Sequence, residues 1–137
     1  MTYRVEFEAE HGSAELTHFE TVDLAEIHAS RLDLARKANE EAARGAIINI
    51  VGSEILASPA QIIDEVKGLI NDLRPGCKLA FVARPEAQDV VSMIVTTVAH
   101  GEGAKVSGFA DLDVARCWIR EPRAVARRCG CEPREAG

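Results

Sequence analysis

The order of apolar runs predicts an α/β domain: a mostly parallel or mixed sheet of about five strands flanked by helices. Two short runs, a β-branched one at residues 46–51 and another at 78–82, are apolar with little alternation, as strands covered on both faces are. Between them Ile62, Ile63, Val66, Leu69, Ile70 and Leu73 recur at helical spacing. The chain has 137 residues, 47% of them hydrophobic and 28% charged. That suits one folded domain, large enough to bury roughly two thirds of its unfolded surface without a metal or disulfide staple.

Each element follows in order. Tyr3-Arg4-Val5-Glu6-Phe7-Glu8 alternates apolar and charged residues, as a strand with one wet face does. His11-Gly12-Ser13 is a turn signal, and residues 14–19 alternate again, so the two pieces form a hairpin. Asp23 and Glu26 have capping-box spacing. Leu24, Ile27, Leu34, Ala35, Ala38 and Ala42 then mark a long amphipathic helix that Gly45 stops.

After the strand at 46–51, Ser58-Pro59 reads as an N-cap with proline in the first turn, and Arg74-Pro75-Gly76 ends that helix. Residues 78–82 are the next strand. Residues 88–100 are β-branched and favour a strand by propensity, yet Val91, Ile94, Val95 and Val98 sit at helical spacing. A parallel neighbour needs a crossover there, so the segment reads as a helix with Gly101 at its C-cap. A strand at 104–109 follows, and Asp111 or Asp113 opens a last helix carrying Ala115, Trp118 and Ile119 on one stripe, ended by Pro122. The expected order is β-β-α-β-α-β-α-β-α, a single domain over residues 1–122 with an Arg- and Cys-containing tail at 123–137.

Charge narrows the function classes. The net charge is −6, and it is uneven: residues 1–119 carry 11 basic and 19 acidic side chains, and the remainder 5 basic and 3 acidic. An acidic body is a poor grip for phosphate backbones, so no nucleic-acid partner is expected. The longest apolar stretches fall far short of the roughly 20 residues a membrane span needs. No cationic segment followed by an apolar run opens the chain, so no secretory leader and a cytoplasmic location are expected.

The ending Phe109-Ala110-Asp111-Leu112-Asp113-Val114-Ala115-Arg116-Cys117-Trp118-Ile119 resembles that of SpoIIAA-like proteins of the STAS superfamily, in which Phe, any residue, Asp, Glu-Ala and Trp-Leu recur. Residues 78–83, the opening strand, the helix entry at 21–26 and the element order are similar too, so the likeness covers about residues 3–120. The resemblance implies a small domain that works by binding, as a regulator or partner-recognition module, without catalysis and without a cofactor. A homodimer fits that role. The fold is shared with CRAL-TRIO lipid carriers, which makes an apolar small ligand the alternative. Anti-sigma antagonists of the superfamily carry Asp-Ser-Ser-Gly where this chain has Ala57-Ser58-Pro59-Ala60. Proline occupies the usual phospho-acceptor position, so a phosphoswitch is left only Ser58, which also suits a structural cap. Gly-x-Ala-Arg-Met in the third helix is reduced here to Met93.

Candidate chemistry is sparse. Ligands of parallel α/β sheets gather at the carboxyl ends of the strands, and that edge carries Ser53, Glu54, Arg84, Glu86 and Asp89. Arg84 suits an anionic group, and Glu54 and Asp89 suit donors. The histidines His11, His18, His28 and His100 are scattered, with none at a metal-ligand spacing to a carboxylate. His28 is expected to pack beside the apolar face of its helix, and His100 to sit at a helix C-terminus. Cys129-Gly130-Cys131 offers two thiols to a soft metal or a disulfide, or is an incidental tail feature. Gly101-Glu102-Gly103 precedes a strand and lacks a nucleotide fingerprint, so it reads as a turn.

Overall fold

The computed structural model describes residues 3–120. Seven strands and four helices alternate: β1 (Tyr3–Glu8), β2 (Ser13–His18), β3 (Glu20–Val22), α1 (Leu24–Glu40), β4 (Gly45–Asn49), β5 (Ser53–Ile55), α2 (Pro59–Asp72), β6 (Lys78–Val82), α3 (Asp89–Gly101), β7 (Val106–Phe109) and α4 (Leu112–Arg120). The main sheet has five strands in the order β1-β2-β4-β6-β7. Only β1 runs antiparallel to its neighbour β2; the other three pairings are parallel.

Every expected element is present, and the segment at 88–100 is helical. Two short strands were missed. Glu20–Val22 and Ser53–Ile55 pair in parallel as a separate two-stranded sheet just beyond the carboxyl end of the main one. Three residues each are too few for alternation to show.

Local chemistry sets the helix ends. Asp23 Oδ1 accepts from Glu26 N at 2.9 Å, but the Glu26 side chain turns away to His18. Ser58 and Gln61 close a full capping box on α2, with Pro59 in the first turn. Helix α1 stops at Glu40, short of Ala42, which takes a left-handed turn at φ 51°. The left-handed residue after α3 is Gly103 at φ 87°, two residues beyond the expected cap at Gly101. Asp111 Oδ1 accepts from Asp113 N at 2.7 Å and opens α4.

Period two on the strands divides the core. Tyr3, Val5, Phe7, Ala14, Leu16, Ala46, Leu79 and Phe81 face α1, α2 and α3. Ile47, Ala80, Val82 and Phe109 face α4, where Ala115 and Ile119 are fully buried and Trp118 is half-buried. Trp118 packs its ring 5.5 Å from that of Phe109, under the ammonium of Lys78. Helix α4 also covers the outer side of β2, so Glu15, on what read as a wet face, is buried.

Candidate functional site

At the carboxyl edge the five candidate residues separate into two kinds. Ser53 is buried, and its hydroxyl donates to the Ile50 carbonyl at 2.9 Å, which makes it part of the frame. Glu54, Arg84, Glu86 and Asp89 are exposed, and among the described residues their side chains form no hydrogen bond or ion pair with one another. The residue that organises this edge is Gln88, which the sequence offers only as the first residue of the helical segment at 88–100. Its Oε1 accepts from Arg84 N at 2.7 Å, and its Nε2 donates to the carbonyls of Ile50 and Ser53 at 2.8 and 3.0 Å. One buried amide therefore ties the β4–β5 loop to the β6–α3 loop, with both of its N–H donors used. The elements that meet here also carry large exposed apolar residues: Val90 and Met93, one turn apart on α3, and Leu56 in the loop after β5. Glu86 adopts φ 68° in the same edge.

Ser58 is exposed, and its Oγ is occupied by the Gln61 amide at 3.3 Å. Cys129 and Cys131 lie outside the described residues. The described cysteines, Cys77 and Cys117, are free and half-buried, and burial pushes the Cys77 thiol up against the opposing charge of Arg74. Cys77 lies in an open, half-polar cleft of about 400 Å³ at the opposite, amino-terminal edge of the sheet.

Three of the four histidines meet carboxylates, which their sequence spacing gave no reason to expect. His11 Nδ1 lies 2.9 Å from Glu8 on the β1–β2 turn, and with Glu10 they form a small group of metal-ligand atoms within 4.8 Å of one another. Burial opposes it, but the hydrogen bonds from the His11 backbone and ring hold the Glu8 carboxyl below its usual range. His28 was expected to pack in an apolar face; its side chain is instead 54% exposed and reaches Glu65 on α2 at 3.1 Å. Arg31 reaches across the same seam to Glu65 at 2.6 Å and Asp72 at 2.9 Å. A Cβ on Gly68 would meet the Arg31 guanidinium at 2.6 Å, so glycine there gives Arg31 its bed. The Glu65 carboxyl is held low by Arg31 and then His28, although burial opposes the shift.

His18 is the deepest of the set, with 4% of its side chain exposed. Its Nδ1 faces Glu26 Oε2 at 3.1 Å and its Nε2 faces Ser30 Oγ at 3.3 Å. Burial pushes its pKa down, while the hydrogen bond and charge of Glu26 oppose that shift. The ring is therefore neutral at neutral pH. Since a carboxylate only accepts, Nδ1 carries the proton and Nε2 is the acceptor. His18 and Ser30 line an apolar cavity of about 60 Å³ between the sheet and α1, α2 and α3, with Ile27, Ile48, Val66 and Val91 among its other walls. Arg31 and Glu65 also line it.

No family model matches the chain, and no curated protein matches it. A solved structure does. The fold is similar to that of an uncharacterised protein of the DUF3478 family, described as having a SpoIIAA-like fold, from Shewanella loihica PV-4. The two share 11% identity and a TM-score of 0.54 over 85% of this chain and 91% of the other. The class is thus a SpoIIAA-like α/β fold, a mostly parallel five-stranded sheet flanked by four helices. Among the described residues no helix is long and apolar enough to cross a membrane.

Proposed function

We propose that the chain is a non-catalytic interaction domain of the regulatory kind, cytoplasmic, and that its partner is a protein, with a second copy of itself as the first candidate. What supports this reading is the carboxyl edge. Val90, Met93 and Leu56 are 65%, 61% and 59% exposed there, beside one cation (Arg84) and three anions (Glu54, Glu86, Asp89). Large apolar side chains bordered by polar ones have the composition of a protein contact rather than of an inert surface. Opposite charges on one surface also allow two copies to pair about a two-fold axis, with Arg84 meeting a carboxylate. A phosphate on Ser58, at the exposed N-terminus of α2, would be favoured by the helix dipole and would alter the same edge. Intact-mass analysis checks for it.

Sedimentation equilibrium of the full chain over a concentration series tests the main reading. Reversible association is expected, and a Val90→Asp, Met93→Asp double variant should disperse it with an unchanged circular dichroism spectrum. Association that the variant leaves intact would move the contact elsewhere. A monomer at every concentration, with no partner of fixed stoichiometry retained in native mass spectrometry, would sink the interaction reading.

A second reading, a carrier of a small apolar ligand, is favoured by one observation: the cavity that His18 and Ser30 line. Its volume of about 60 Å³ excludes a whole lipid tail unless the helices part.

A further inference from the structure

The cavity under the α1–α2 seam has a size, a polarity and one polar fixture, and together these specify a ligand. An apolar cavity of about 150 Å³ accommodates benzene. This one, at about 60 Å³, holds less than a ring. Most of its wall is isoleucine, valine and leucine, which offers nothing to replace the hydration of a charged group. The charged residues that line it are already matched: Arg31 is held by Glu65 and Asp72. The site therefore selects for neither sign.

The remaining fixture is Ser30, 1% exposed. With the His18 ring neutral, the single Ser30 proton goes either to His18 Nε2 at 3.3 Å or to the Ile27 carbonyl at 3.0 Å. In both arrangements the Ser30 oxygen keeps two lone pairs with no donor, because every other group of that cluster accepts or is engaged. An alkane would leave that acceptor unused; a ligand hydroxyl would fill it. We infer that this cavity binds a small neutral alcohol of one or two carbons, its alkyl group packed among Ile27, Ile48, Val66 and Val91 and its hydroxyl donating to Ser30. The inference rests on the small-ligand reading above and adds the chemical class.

The same geometry makes the binding depend on the charge of His18. The groups facing His18 are the Tyr3 ring on β1, itself hydrogen-bonded to Asp33, and Glu26 and Ser30 on α1. Arg31 and Glu65 share the cavity wall with it, while β4 and α3 contribute apolar side chains. Once the ring is protonated, Nε2 becomes a donor to Ser30 Oγ and competes with the alcohol there, leaving the hydroxyl one open lone pair where it had two.

Titration of the full chain with ethanol, followed through the protein's methyl NMR signals, tests the assignment, with xenon as an apolar probe of the same space. The expected result is saturable shifts at Ile27, Ile48, Val66 and Val91, weaker at acid pH. Ser30→Ala should weaken the alcohol at least about five-fold, the loss of one hydrogen bond, and leave xenon binding unchanged. Val91→Phe should abolish both, with Ile55→Phe as a second filler should the first unfold. Equal alcohol affinity in wild type and Ser30→Ala would overturn the hydroxyl assignment while leaving a small apolar site standing. Binding of neither alcohol nor xenon would overturn both.

Discussion

The two faces of the sheet are built to different tolerances. On the α4 face a single nine-residue helix closes on small residues: a Cβ at Gly45 would come within 2.3 Å of Ile119 Cδ1 and 2.9 Å of the Lys78 carbonyl. Its charged contact joins Arg116 and Glu15, Arg116 Nε and Nη2 donating to the two Glu15 oxygens at 2.7 Å each, with Ser13 Oγ adding a third bond at 2.7 Å and Lys78 Nζ donating to the Trp118 carbonyl at 2.8 Å. On the opposite face three helices leave a cavity, where His18, Ser30 and Glu26 are linked by longer bonds of 3.1 and 3.3 Å, although Arg31 and Glu65 on the same wall meet at 2.6 Å. Tight contact fixes the fold on one side, and spare volume beside a titratable ring leaves room for a response on the other. Substitutions on each face should therefore carry unequal costs.

The largest effect is expected at the ion pair. Arg116→Met would leave the Glu15 carboxylate, 8% exposed, with Ser13 as its one remaining partner. Removing one member of a buried pair costs about 3–5 kcal/mol; because Arg116 is 25% exposed, about 3 kcal/mol is expected. Urea denaturation with an unchanged slope measures it. Next comes Gly45→Ala, where Ile119 and the β6 backbone have to give way, at a cost of about 2 kcal/mol. A stability within 0.5 kcal/mol of wild type would mean that α4 sits on the sheet more loosely than these distances state.

These two contacts also mark where sequence reading stopped. The element order was legible because helical stripes and β-branched runs are local patterns, and the caps at Asp23 and Ser58 are written within four residues. Glu15 was misread for the opposite reason: alternation shows that a side chain points away from its neighbours, but a helix 101 residues further on decides whether that side is wet. Three of the candidate edge residues, Arg84, Glu86 and Asp89, belong to the loop and helix start that carry Gln88, yet the fixing role of Gln88 depends on backbone carbonyls 35 and 38 residues away. His18 and Ser30 meet across a strand and a helix. Apart from Asp23–Glu26, no spacing rule foretells such a pairing.

The cavity face should answer to pH instead. Below the ordinary histidine value of 6.5 the unfolded chain takes up a proton that native His18, its pKa lowered by burial, resists. The stability His18 contributes is therefore complete above 6.5 and lost as pH falls through the window beneath it. His18→Gln should cost on the order of 1 kcal/mol at neutral pH through its hydrogen bonds, and should flatten the melting temperature between pH 7 and 5. The fall that remains at lower pH belongs to carboxylates such as Glu65, whose lowered value places its loss beneath 4.5. An unchanged slope between pH 7 and 5 in the variant would remove His18 from the account.

The smallest effect sets the two faces side by side. Val66, 7% exposed on α2, lines the cavity, and Val66→Ile adds one methyl to that wall, as Gly45→Ala adds one to the other face. On a close-packed surface an added carbon is strain; beside a void it gains contacts the cavity lining lacks. Val66→Ile should therefore change stability by less than about 0.5 kcal/mol, and toward the stable side, where Gly45→Ala loses about 2 kcal/mol. Paired thermal melts of the two variants check it. Equal losses would mean that the cavity closes in solution and that both faces are packed alike; opposite signs would locate the room for change between the sheet and α1–α3.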